Sequence, residues 1–383
     1  MSIRVLHINR NYIFNRLHQT LIDELDRHPE VQNKVFVPNS LEQNISYNVG
    51  ENVIVSKCFR IRDKYLYHYK QNKIFKALKR HYRIDEFDVI HAYTLFTDGG
   101  CAYKIHKKYG RPYVVAIRNT DINDFFKKLP FLRNYGIRIL KDAEAIFFLS
   151  RTYKDILIDN YIPEKDKKLL ISKMQIIPNG VDPFWLLNIP DTDKELSHKQ
   201  IKIIYAGRID QNKNIETTAK AIELLIQDGI SISFTVIGKI ENRQILDRLI
   251  NNYSFVEYKP EMKKEELINE YRNSDIFVMP SFTETFGLSY VEAMSQGLPI
   301  IYTQGQGFDQ QFEEGLVGYH VDPNSENDIA DKIRLIYERF GEIIKNCVTE
   351  CRKYDWSKIS EEYISVYRDI KDKCDDEEVS TGY

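Results

Sequence analysis

The chain lacks several things that would fix its class early. It has no apolar run of about 18 residues, so no membrane-spanning helix is expected. The start, MSIRVLHINRN, enters a strand-like run with no signal-peptide h-region. Cysteine is scarce and odd in number: Cys58, Cys101, Cys347, Cys351 and Cys374 are scattered. That pattern fits reduced thiols in a cytoplasm better than a disulfide framework. Cys347 and Cys351 lie four apart on a predicted helix, but two lone thiols do not make a metal site. Beyond basic charge there is no nucleic-acid signature, so a nucleic-acid partner is not expected.

What is present is ordinary for a soluble globular protein: 43% hydrophobic and 29% charged residues. At 383 residues the chain is too long for one typical core, which implies two domains. The net charge of −2 hides an asymmetry. Residues 1–150 carry 25 basic and 15 acidic residues, and the remainder carries 29 and 41. Such a division between halves is a clue about partners rather than fold.

The basic excess peaks in residues 57–83, where Lys57, Arg60, Arg62, Lys64, Lys70, Lys73, Lys76, Lys79, Arg80 and Arg83 face one acid, Asp63. From Lys64 the period is helical. Tyr67, Ile74, Phe75, Leu78 and Tyr82 fall on one stripe, and Lys73, Lys76, Lys79, Arg80 and Arg83 on the other side. The lysines are then either a solvated face or a face for an anionic surface. That surface would be a phosphate-rich polymer or a membrane leaflet carrying a lipid-linked acceptor.

Short β runs alternate with helical stretches along the whole chain. Strands are expected at Ile3–Ile8, Val53–Val55, Val89–His91, Tyr113–Ile117, Ala145–Leu149 and Gln175–Ile177. A second series covers Lys202–Tyr205, Ser233–Ile237, Ile276–Met279 and Pro299–Tyr302. This alternation predicts α/β architecture: two doubly wound, Rossmann-like domains with parallel sheets and ligands at the strand carboxyl ends. The join is expected near Trp185–Lys199, giving domains of residues 1–185 and 186–356. The last ten residues, CDDEEVSTGY (374–383), read as a flexible acidic tail.

The stretch MPSFTETFGLSYVEAMSQGLP (279–299) reads as a strand end, a turn and a helix starting near Gly287 or Leu288. A helix N-terminus offers unpaired N–H groups and partial positive charge, which suits a phosphate. Gly287 permits close backbone approach. Glu292 falls about five residues into the helix, roughly 7.5 Å along its axis, with an anion seat between it and Glu284. That spacing fits a nucleotide-diphosphate sugar, with the diphosphate at Phe286, Gly287 and Leu288. A surface acid and a solvated helix Glu fit the spacing equally well. Upstream, YAGRIDQNKN puts Arg208 and Lys213 at a strand's carboxyl end, where two cations can neutralise a diphosphate.

With these pieces in place the chain resembles the family-4 glycosyltransferases, retaining enzymes of GT-B architecture. The matching segments are DVIHAYTLFTDGG (88–100), IIPNGVD (176–182), YAGRIDQNKN (205–214), SDIFVMPSFTETFGLSYVEAMSQGLPII (274–301) and YDWSKISEEYISVYRDI (354–370). The resemblance implies two domains facing a cleft, with a final helix (about 357–373) crossing back to the first. It implies transfer of a hexosyl or N-acetylhexosaminyl group from a UDP- or GDP-linked donor, with no metal and no cofactor. The acceptor would be a sugar, lipid-linked or polymeric, in cell-surface polysaccharide or glycoconjugate synthesis. Glu284 would hold donor-sugar hydroxyls, Glu292 the ribose, and Arg208 and Lys213 the diphosphate.

The chain departs from the family pattern in three places. NRNYIFNRLHQ replaces a Gly-rich loop after the first strand. RNTDIN puts Arg118 and Asn119 where His-Gly is usual. Pro260 stands where Gly is common. His91, Arg118, Asn119 and Asp121 remain candidates for acceptor or donor-sugar contacts. His91 could instead be a structural strand-end residue, and Asp121 a helix cap. Gln306, Gly307, Phe308 and Asp309 are expected to face the donor. The competing functions are a nucleotide-sugar epimerase or a phosphorylase on the same fold, and a non-catalytic sugar-nucleotide-binding subunit. No lysine motif of the pyridoxal kind stands out for a phosphorylase. The expected location is the cytoplasm, with a peripheral place on the inner membrane face left open.

Overall fold

Every predicted apolar run becomes a parallel strand in the computed structural model, which describes residues 2–14, 16–43, 49–191 and 200–380. Seven strands form one sheet: β1 (Ile3–Ile8), β2 (Val31–Ser40), β3 (Val53–Phe59), β4 (Val89–Ala92), β5 (Tyr113–Ile117), β6 (Ala145–Phe148) and β7 (Met174–Ile176). Their spatial order is β3-β2-β1-β4-β5-β6-β7, with every pair parallel. Six more form a second sheet: β8 (Ile201–Ala206), β9 (Ile232–Ile237), β10 (Val256–Lys259), β11 (Ile276–Val278), β12 (Ile300–Thr303) and β13 (Gly318–Val321). Its order is β10-β9-β8-β11-β12-β13, also all parallel. Each order reverses direction once, between β1 and β4 and between β8 and β11. Such reversals leave a crevice at the strand carboxyl ends.

The chain divides into two compact units, residues 1–149 with 153–180 and 356–383, and residues 150–152 with 181–355. Strands buried on both faces explain the near-continuous apolar runs: all five residues of β5 are buried. In the first unit one core layer joins Leu6, Phe36, Val115 and Ile146 to Ile74, Ala77 and Leu78 of the helix Tyr67–His81. The apolar stripe read from residue 64 onward therefore packs on the sheet. A second layer joins Val5, Val89, Val114 and Phe147 to Trp356, Ile359, Tyr363 and Tyr367 of the final helix. That helix, Trp356–Ser380, also contacts the helix Arg16–Leu25, so the chain returns to the first unit as expected.

The final helix enters the segment read as an acidic tail and runs to Ser380; residues 381–383 lie outside the described residues. Of the join read over Trp185–Lys199, residues 192–199 lie outside them too, and Pro183–Leu187 forms a short helix.

Candidate active site

The register of the second sheet builds the site. Ile203 and Ile204 of β8 pair with Ile276 and Phe277 of β11, so the loops after these two strands lie side by side. Asn212 then stitches them together. Its carbonyl accepts from Phe282 N–H at 2.8 Å, its Oδ1 from Thr283 N–H at 3.0 Å, and its Nδ2 donates to Thr283 O at 2.9 Å. Beside it, Lys213 Nζ meets Glu284 Oε2 at 2.7 Å, with both side chains largely shielded (13% and 15% exposed). The other carboxylate oxygen of Glu284 accepts from Thr285 N–H at 3.0 Å. The loop after β12 closes the turn from the far side. Gln306 Oε1 accepts from Glu284 N–H at 3.0 Å, and Gly307 N–H donates to Glu284 O at 2.9 Å. A Cβ on Gly307 would stand 1.8 Å from Thr285 O, so only glycine allows this approach.

Gly287 takes φ 83° and precedes the helix Leu288–Ser295, the start expected from the sequence. A residue with a side chain would be strained there and would also meet the Tyr290 ring at 2.3 Å. Phe286 is buried against Tyr354. Glu292, one turn into the helix, opens onto a cavity of about 230 Å³ whose lining includes Arg208, Gly238, Lys239, Tyr271 and Ser289. Arg208 is more exposed, its closest carboxylate being Asp210 at 3.8 Å. Burial pushes the Glu292 carboxyl up to about 7, helped by the charge of Asp182 and opposed by a Trp185 hydrogen bond and by Lys264. The hydroxyl of buried Tyr271 has no hydrogen-bond partner among the described residues. Phe308 and Asp309 are buried, with Phe308 against Tyr290 and Tyr302.

In the first unit the four remaining candidates separate into two pairs. Arg118 and Asn119 are half-buried after β5. Arg118 Nε donates to Tyr93 O at 3.2 Å, and its charge also meets the Tyr363 hydroxyl of the final helix. Asn119 Oδ1 accepts from Asn123 Nδ2. His91 and Asp121 are enclosed. His91 stacks on Tyr93 at 4.3 Å and its Nδ1 hydrogen-bonds the Tyr367 hydroxyl at 2.6 Å. Burial holds this imidazole neutral, well below its usual pKa. Asp121 spends its carboxylate on backbone N–H groups of Leu95, Phe96 and Arg118 at 3.1, 3.1 and 3.0 Å. It thereby ties the turn after β5 to the turn after β4. Burial outweighs those bonds and raises it to about 6.

The sequence pattern described as "Glycosyl transferases group 1" matches residues 190–348, and that described as "Glycosyltransferase Family 4" matches residues 19–184. The chain is a family-4 glycosyltransferase. It is 23% identical over 305 residues to a D-inositol 3-phosphate glycosyltransferase of Paenarthrobacter aurescens, covering 74% of this chain and 73% of that one. Sucrose-phosphate synthase from Thermosynechococcus elongatus has the same fold. The TM-score is 0.71 at 16% identity, over 96% of this chain and 99% of the other. Anabaena HepE, solved with UDP, aligns with TM-score 0.66 at 15% identity, over 96% and 100%. The glycosyltransferase thus has the GT-B fold, and it transfers a sugar from a nucleotide-sugar donor with retention.

Sequence reasoning missed Gly238, Lys239 and Tyr271 as cavity residues. The signal available was VIGK at the end of β9, a strand end on the neighbour of β8. Among the described residues one grouping has metal-ligand chemistry: Asp309, Glu314 and His320, with ligand atoms within 4.8 Å of one another. Hydrogen bonds account for it. Gly305 and Gln310 N–H groups donate to Asp309, and the Tyr302 hydroxyl and His320 N–H to Glu314.

Proposed function

We propose that the donor diphosphate sits at the N-terminus of the helix Leu288–Ser295, over Phe286, Gly287 and Leu288, with Arg208 and Lys213 neutralising its charge. Glu284 accepts from donor-sugar hydroxyls and Glu292 from the ribose. The observations that carry this reading are the shielded Lys213–Glu284 pair and a cavity lined by both Arg208 and Glu292. In the unliganded pair Lys213 is neutralised by Glu284. A bound diphosphate would share that cation, and the carboxylate would be left to orient the sugar. The acceptor hydroxyl attacks the anomeric carbon on the face from which the diphosphate leaves. The new C–O bond forms as the bond to the β-phosphate oxygen breaks, and that oxygen takes the acceptor's proton. Configuration is kept without a dedicated protein base and without a metal. UDP is favoured as the nucleotide because a protein of the same fold was solved with it. UDP and GDP should be screened by thermal shift. At 100 times its dissociation constant the right one stabilises by about 2.7 kcal/mol. If no nucleoside diphosphate shifts the transition, the donor site is misassigned.

We place the enzyme in the cytoplasm, reversibly attached to an anionic leaflet. No helix among the described residues is long and apolar enough to cross a membrane. The basic segment does expose Ile61, Tyr65, Leu66 and Tyr69 among Arg60, Arg62 and Lys64. Apolar and aromatic groups ringed by cations suit a headgroup boundary, where each basic residue is worth about 1 kcal/mol. Lys73 takes no part, because Asp63 holds it at 2.7 Å. Co-sedimentation with phosphatidylglycerol but not phosphatidylcholine vesicles is expected at low salt, reduced by Arg60→Glu/Arg62→Glu/Lys64→Glu. A wild type that stays in the supernatant refutes the attachment.

A further inference from the structure

Two cations at the carboxyl edge of the first sheet make no direct ion pair among the described residues, although Asp98 acts on both from a distance. Arg10 follows β1, Lys70 lies in the first turn of the helix Tyr67–His81, and Phe59 ends β3. The Arg10 guanidinium carbon is 5.1 Å from the centroid of the Phe59 ring, and Lys70 Nζ is 4.5 Å from it. The two charges are therefore no farther apart than the sum of those distances. Both residues are half-buried, so neither charge is simply waving in solvent. Neither side chain has an ion pair or hydrogen bond among the described residues.

The carboxylates that could have served them are engaged elsewhere. Asp63 is paired with Lys73, and Asp98 accepts from the Thr94 hydroxyl at 3.0 Å and from Arg10's own backbone N–H at 3.3 Å. Other cations of this unit do find partners: Arg4 with Asp88, Lys107 with Asp142, Lys141 with Asp166. One residue before Arg10, buried Asn9 has no hydrogen-bond partner for its Nδ2 donor among the described residues. A lysine in a helix's first turn also opposes the positive end of the helix dipole. An aromatic face attracts each cation but does not relieve their mutual repulsion.

We propose that Arg10 and Lys70 form an anion site that takes a phosphate group, and that this phosphate belongs to the sugar acceptor. The second half rests on the transferase reading; the first does not. Two cations match the dianionic charge of a phosphate monoester, and the pairing of a planar guanidinium fork with a compact ammonium suits phosphate oxygens. The site lies at the strand carboxyl ends, on the edge where doubly wound sheets bind ligands. Burial, then the charge of Arg10, lowers Lys70 to about 8, and a bound anion would restore it.

The test is calorimetry on the whole protein with glucose 6-phosphate, inorganic phosphate and glucose, in the wild type and in Arg10→Ala and Lys70→Met. Saturable binding of the phosphate probes but not of glucose is expected. Each variant should weaken it at least about tenfold while binding UDP within twofold of the wild type. Vesicles of phosphatidic acid, whose headgroup is itself a phosphate monoester, separate the sources of the phosphate. If glucose 6-phosphate displaces the protein from vesicles and the variants release it, the phosphate is a lipid headgroup's. If vesicle binding ignores both, it is a soluble acceptor's. Absence of binding to every phosphate probe, or unchanged binding in both variants, overturns the site. Loss of UDP binding in the wild type with phosphate binding intact would instead sink the donor assignment and leave the anion site standing.

Discussion

Lys213→Ala and Arg208→Ala each lower turnover by about tenfold to a few hundredfold while the fold survives. A hydrogen bond to a charged group is worth about 1.5–3 kcal/mol, and each 1.4 kcal/mol or so is tenfold in rate. The effect falls on kcat if the cations act as the leaving diphosphate gains charge. The two variants should differ in stability. Arg208 is 64% exposed on its side chain, and its loss costs the fold little. Lys213 is shielded, and its removal breaks the shielded ion pair with Glu284, so the alanine variant should also melt earlier. Near-normal activity in both variants would remove these residues from the mechanism.

The two glutamates separate by ligand. Glu292→Gln is expected to weaken free nucleoside diphosphate, because its proposed partner is the ribose; Glu284→Gln should spare the free diphosphate and weaken the nucleotide sugar. Calorimetry showing the reverse pattern would turn the donor end for end. Glu292 adds a pH signature. Its carboxyl is raised from 4.5 to about 7, first by burial and then by Asp182. A carboxyl raised in the folded state stabilises the apo-protein at low pH and loses that contribution as pH rises through about 7. Ribose binding runs the other way, since the ionised carboxylate is the better hydrogen-bond acceptor. Nucleotide affinity should therefore climb through neutral pH in the wild type and flatten in Glu292→Gln. A pH-independent wild type would contradict this assignment.

The strands were legible because parallel sheets bury both faces, which makes their apolar runs continuous. The signals that stayed weak have local causes. β2 carries Asn33, Lys34 and Pro38, which break the run. β10 is an edge strand of four residues with none buried. The segment around Glu284 and Glu292 was legible because helix start, glycine and carboxylates lie within one stretch of chain. The ion pair between Lys213 and Glu284 was not, since it depends on β8 lying beside β11. Motif residues that look alike in sequence also differ in kind. The glycine of IIPNGVD serves packing: a Cβ on Gly180 would stand 2.3 Å from the ring of Trp356, the tryptophan of YDWSK. His91 ends a strand at the carboxyl edge, as a ligand-binding residue would. Only the return of the final helix, bringing Tyr363 and Tyr367 over it, encloses it. Arg10 and Lys70 meet through the ring of Phe59, which no sequence spacing announces.

Central to this account is a metal-independent donor site in the second unit, around the helix Leu288–Ser295. Its most direct test is release of nucleoside diphosphate from a panel of UDP- and GDP-sugars in the presence of EDTA, with the anomer of the freed sugar followed by NMR. The account predicts slow hydrolysis of one donor, unaffected by the chelator, giving first the anomer the donor carried. Release that requires a divalent metal, or first yields the opposite anomer, would contradict it.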